Sequence, residues 1–219
     1  MNSNATRLLC QARFALAILT VLGLLTACVP ESSIRPVETM SAVPAGETIL
    51  VGKVTLQPPL SPGEQKLGDS YREFENSAML IAGDSLRPVP QLKLGDLSRR
   101  IDAPFDKHYF VRCPAKPFYI LKGWVVMHAK VEVVGPGADR SPDQTAAPLR
   151  GAFRIDIRSG DKAVYIGTIQ YFRDEFFSTE KVVVKDEFST ANAEFRHRFG
   201  SEAVLRKALA VPVGAPESK

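Results

Sequence analysis

Gly151, Ala152, Phe153, Arg154, Ile155, Asp156, Ile157 and Arg158 alternate so that Phe153, Ile155 and Ile157 face one way and the charged residues the other. A period of two with one charged face marks a half-buried antiparallel strand. Ser159, Gly160 and Asp161 then supply turn chemistry, and residues 163–172 are apolar on both faces, as in a central strand. This pattern predicts a hairpin over 151–172.

The same period runs outward from that hairpin. Tyr119, Leu121, Gly123, Val125, Met127, Ala129, Val131 and Val133 form an apolar row opposed by Lys122, Trp124, His128, Lys130 and Glu132, with Gly123 marking a bulge or bend. Further strands are expected over 48–57, 77–82, 105–113 and 179–185. Helical spacing enters only near the end, where Phe188, Ala191, Phe195 and Phe199 recur every three or four residues and Gly200 stops the run. Ser201 is placed to cap a second short helix carrying Val204, Leu205, Ala208 and Leu209. Many strands without strand–helix alternation give a mainly β fold, an antiparallel β-sandwich with one or two short C-terminal helices.

Phe110, Val111, Arg112, Cys113 and Pro114, followed by Phe118, Tyr119 and Ile120, resemble the strand, proline turn and tyrosine strand of transthyretin-like sandwiches in bacterial secreted lipoproteins. The resemblance implies a sandwich and supplies no catalytic residues. Ala115, Lys116 and Pro117 stand where those modules usually place a glycine.

The N-terminus has the composition of a secretory leader: Arg7 and Arg13 with no acid, then an apolar run over 14–25. Residues 14–27 are too few to span a bilayer, which needs roughly 20. Leu25, Thr26, Ala27 and Cys28 resemble the lipobox of bacterial lipoproteins. That resemblance implies cleavage between Ala27 and Cys28 and a diacylglycerol thioether on Cys28, with palmitate-type acyl chains as the membrane anchor. Val29, where an aspartate would favour retention at the inner membrane, implies the outer membrane.

The organisation expected is a signal peptide over 1–27, a lipidated flexible tether over 28–46, one sandwich domain over 47–212 and a disordered tail over 213–219. Pro30, Pro36, Pro44, Ser32, Ser33 and Ser41 mark the tether, whose coil length would hold the domain some 20 to 25 Å from the anchor. Residues 135–148 lack core-forming side chains and read as an exposed loop. Removing the leader lowers the net charge from +4 to +2, too balanced to argue for nucleic acid as a partner. Cys10 leaves with the leader and Cys28 takes lipid, so Cys113 is left without an intramolecular disulfide partner and is expected to be a buried thiol.

Signs of chemistry are sparse. Gly83, Asp84, Ser85 and Leu86 resemble the nucleophile block of GDSL esterases, which implies a serine served by a histidine base. The companion Gly-x-Asn-Asp and Asp-x-x-His blocks are absent, Glu194 before His197 being the nearest approach, and that family's α/β fold differs from this pattern. Gly-Asp also recurs at Gly68, Gly95 and Gly160, which turn chemistry explains. His108, His128 and His197 are scattered without metal-ligand spacing, and no cofactor motif is present. Asp174-Glu175-Phe176 and Asp186-Glu187-Phe188 form an echo that would suit a hard cation if the fold gathered the carboxylates. Arg196, His197, Arg198, Arg206 and Lys207 make a short basic run, read as a solvated face rather than a lipid-docking one. The expectation is a lipid-anchored envelope module with a binding or structural role and no catalytic or metal site. An envelope protein is a candidate partner, and an envelope hydrolase or a small-molecule carrier is the alternative.

Overall fold

The computed structural model describes residues 34–66, 75–86, 99–127, 145–149, 151–174 and 178–213. Within them the chain is mainly β, with two sheets packed face to face as the alternating patterns require. The first sheet runs, in spatial order, β1 (Arg35–Pro36), β5 (His108–Pro114), β2 (Glu47–Gln57), β9 (Ala163–Arg173) and β10 (Thr179–Lys185). A short β11 (Arg206–Lys207) lies beside the start of β9. The second sheet runs β12 (Val211–Val213), β8 (Ala152–Ile155), β6 (Phe118–Met127), β3 (Ser77–Gly83) and β4 (Arg100–Pro104), with β7 (Thr145–Leu149) along the far half of β6.

The expected hairpin over 151–172 does not form. β8 pairs with β6 and β12 in the second sheet, whereas β9 lies in the first between β2 and β10. Burial explains the separation. Arg154 and Asp156 need a face in water, and both faces of β9 need cover, so the two strands cannot share one environment. β2 and β9 are parallel, the central exception in an otherwise mostly antiparallel arrangement.

The first sheet is covered on both sides. Leu50, Val54, Val164, Ile166 and Tyr171 point between the sheets, while Ile49, Val51, Phe110 and Tyr165 point outward under the helix α1 (Phe188–Phe199). β9 changes phase at Gly167, whose φ is +97°, so that Ile166 and Ile169 both face the sandwich interior. A Cβ on Gly167 would stand 3.1 Å from the Lys185 carbonyl oxygen, which leaves glycine as the residue that fits. A second phase change falls in β6, at Leu121 rather than at the expected Gly123. Phe118 and Ile120 therefore face the interior in place of Tyr119 and Leu121, and the row resumes with Val125 and Met127.

α1 is the one helix of appreciable length among the described residues, and Gly200 ends it as expected, its N–H returning to the Arg196 carbonyl at 2.9 Å. Phe195 and Ala191 are fully buried against Phe110 and Tyr165, with Phe188, Phe199 and Leu209 packed at the margin. No second helix follows. Residues 206–207 are extended instead, because backbone pairing with Val164 and Tyr165 on β9 outweighs the helical spacing of Leu205 and Leu209. Truncating Phe195 to Ala is expected to cost about 3 to 5 kcal/mol of stability, read from the denaturant midpoint. An unchanged midpoint would mean that α1 is not part of the core.

Candidate functional site

Cys28, the lipidation position drawn from the sequence, and the cleavage partner Ala27 lie outside the described residues, as do Gly68, Gly95, His128, residues 135–144 of the expected loop and the tail from 214 on. The structure does bear on the tether that follows Cys28. Ile34 and Val37 are buried, β1 pairs antiparallel with β5, and the Val37 N–H donates to the Phe110 carbonyl at 3.0 Å. Arg198 donates to the Val37 carbonyl at 2.9 Å and Arg112 to that of Ala42 at 3.2 Å. Residues 34–46, expected as flexible tether, are thus docked on the first sheet. Proline-rich composition hid the apolar residues that hold them there, Ile34, Val37, Met40 and Val43. Because Arg35 stands opposite Arg112 and Pro36 opposite Val111, the chain enters at the end of the sandwich where β5 turns into β6.

Ser85 lies at that same end, in a bend after β3. Neighbouring Asp84 is bound by Arg99 at 2.8 Å and by Lys116 at 3.1 Å, and these hydrogen bonds, Arg99 first, hold its carboxyl below the usual range. The adjoining cleft, walled by Ile34, Cys113 and Phe118, encloses about 20 Å³, room for one water. Burial, and secondarily Glu47, pushes the Cys113 thiol up to about 12, so it stays protonated and acts as a packing group. His108 is at the opposite end of β5, about 20 Å away along the strand. His197 is exposed on α1. His108 is thus a strand length from Ser85, and His197 sits on the helix over the first sheet whereas Ser85 follows a strand of the second.

Of the acidic echo, Glu175 lies outside the described residues, and the described Asp174 and Asp186 are not brought together. Asp174 follows the end of β9 and accepts from the Ser178 N–H at 2.8 Å, while Asp186 follows the far end of β10 and pairs with Lys207 at 2.9 Å. A hairpin length separates them. Among the described residues no group of three or more His, Cys, Asp or Glu stands in a metal-holding arrangement. The basic run is spent on structure as much as on solvent: Arg206 binds Asp161 at 2.6 Å and the Asp156 carbonyl at 2.7 Å, and Arg198 lies over the Phe110 ring.

Two polar clusters had no sequence signal. The first fastens α1 to the outer face of the first sheet. Lys53 reaches Glu187 at 2.5 Å, Thr168 donates to the same carboxylate at 2.8 Å, and the Glu187 N–H donates to the Tyr165 hydroxyl at 2.9 Å. The Lys53 hydrogen bond holds the Glu187 carboxyl below its ordinary value. Beside it, His108 Nδ1 is 2.6 Å from Glu194, and its buried Nε2 has no protein partner. This cluster positions α1 on the outer face of the first sheet. A solvent-open hollow of about 450 Å³ at the start of α1 is rimmed by Asp186 and Glu187, both already paired with lysines.

The second cluster closes the opposite end of the sandwich. Arg173 grips Glu64 through both carboxylate oxygens, at 2.5 and 3.0 Å, and donates to the carbonyls of Pro58 and Pro59. Beneath it lie Leu56, Leu60 and Met127, around a cleft of about 10 Å³. Burial alone would raise the Glu64 carboxyl, but hydrogen bonds from Arg173 and Ser61 outweigh it and bring the group down to about 2. Comparison of the chain with protein-family profiles, with curated proteins and with solved structures finds no match.

The Glu64 pair makes stability depend on acid. With the folded group lowered from 4.5 to about 2, its contribution is complete above about pH 4.5 and is lost as pH falls towards 2. Urea midpoints of the wild type should decline through that window, the pair accounting for at most on the order of 3 kcal/mol. Glu64→Gln should lower the midpoint at pH 7 and flatten the acid limb; equal slopes for the two proteins would refute the assignment.

Proposed function

We propose that this chain is a bacterial lipoprotein, anchored through a diacylglycerol thioether on Cys28 and presenting its β-sandwich in the cell envelope as a binding or structural module. The observation that carries the reading is the run Leu25, Thr26, Ala27 and Cys28, closing a short apolar segment behind Arg7 and Arg13. Two long acyl chains already hold a protein stably on a membrane, at about 0.8 kcal/mol per buried CH₂. Val29 directs the proposal to the outer membrane, and the partner to a protein of the envelope.

The hydrolase alternative loses support at Ser85, whose neighbour Asp84 is held by two cations and which neither His108 nor His197 approaches. The carrier alternative loses support in the sandwich layer, where the clefts at its two ends take about one water or less.

Mass spectrometry of the mature N-terminus tests the reading. A chain beginning at acylated Cys28 is expected, and Cys28→Ala should move the protein out of the membrane fraction. Recovery of an unmodified Cys28, or of an N-terminus cut elsewhere, would overturn the proposal.

A further inference from the structure

The docking of residues 34–46 changes what a lipid on Cys28 would do to the domain. With only 29–33 between the cysteine and buried Ile34, the chain reaches at most about 20 Å even when fully extended. β1 runs antiparallel to β5, so the chain leaves the domain past Cys113 and Pro114, at the end holding the β5–β6 turn. β2 makes the sandwich about 35 Å tall at 3.3 Å per residue, so a bilayer that holds Cys28 keeps the entry end near it and leaves the tilt of the long axis to the chemistry of the surface at that end.

That entry end has the chemistry of a surface meeting lipid. Val204 is 71% exposed, the most solvent-exposed of the large apolar side chains described, and it stands two residues before β11, beside the start of β9. The Arg206–Asp161 pair pins the 156–162 turn next to it, with Arg158 and Lys162 exposed. Arg99, before β4, and Lys116, on the β5–β6 turn, share the single carboxylate of Asp84, so that with Arg158, Lys162 and Arg206 the bases at this end outnumber Asp84, Asp156, Asp161 and Glu202 by one. The far end carries exposed Glu75, Asp106 and Glu180 balanced by Lys66, Lys107 and Lys181.

We propose that the domain stands end-on on the bilayer, with the β5–β6 turn, the 156–162 turn and Val204 resting on anionic phospholipid headgroups, an inference that rests on the acylation of Cys28. Each surface base adds attraction to an anionic leaflet within a Debye length of about 8 to 10 Å, and a single exposed aliphatic group suits shallow entry among the headgroups.

The test uses the full chain, purified with its acyl groups and reconstituted into phosphatidylethanolamine–phosphatidylglycerol vesicles carrying a headgroup nitroxide. A fluorophore is placed on a cysteine replacing Ser159, Val204 or, at the far end, Asp106, all exposed positions that leave the core intact. Labels at 159 and 204 should be quenched several-fold more strongly than the label at 106. Substituting phosphatidylcholine for the anionic lipid, or introducing Arg158→Glu with Lys162→Glu, should reduce that quenching. Equal quenching at the two ends of an acylated protein overturns end-on docking alone. Quenching that is indifferent to lipid charge and to the double variant overturns the headgroup assignment. An N-terminal peptide whose mass shows unmodified Cys28 overturns the anchor and this orientation together.

Discussion

Parallel pairing of β2 with β9 is the constraint on which the rest of the structure depends. Parallel neighbours cannot be joined by a tight turn, and here the connection runs through β3, β4, β6, β7 and β8 of the second sheet and β5 of the first. Both strands are apolar on both faces, so each face must be covered. The second sheet covers one, and α1 with the residues after β1 covers the other. The close fit shows at Gly52, where the Tyr109 ring lies across the strand and leaves no space for a side chain. The polar clusters then secure what packing has placed, with Lys53–Glu187 and His108–Glu194 holding the helix and Arg173–Glu64 closing one end.

Much of this was legible in single stretches. The two-faced apolar run of β9 called for a central strand, the half-charged run of β8 for a strand with one wet face, and the phenylalanine spacing for α1. What misled were features whose meaning depends on a distant partner. Ser159, Gly160 and Asp161 form a turn as their chemistry requires, yet the turn carries the chain from one sheet to the other. Leu121 shifts the phase of β6 with no glycine to announce it. Leu205 and Leu209 keep helical spacing but lie on an extended segment, since an open backbone edge on β9 was available to them. His108 and Glu194 are 86 residues apart, and no local pattern joins such a pair.

The site was divided in the same way between what a local motif can say and what only the fold can. The acylation proposed for Cys28 rests on four consecutive residues and on no feature of the fold. The orientation of the domain relative to the proposed anchor is invisible in the sequence, where residues 28–46 have the composition of a spacer. Ile34 and Val37, buried on the first sheet, convert most of that spacer into structure and bring one end of the sandwich close to the membrane that the lipid would occupy.

The account therefore turns on whether the segment after β1 is part of the folded domain, and native-state hydrogen exchange at the Val37 amide measures this directly. Its hydrogen bond to the Phe110 carbonyl, beneath Arg198, should give it protection approaching that of Ile49 and Val51 in β2. Exchange at the rate of an unprotected peptide, with β2 still protected, would contradict the account: the segment would then be a free spacer and the end-on geometry would have no basis.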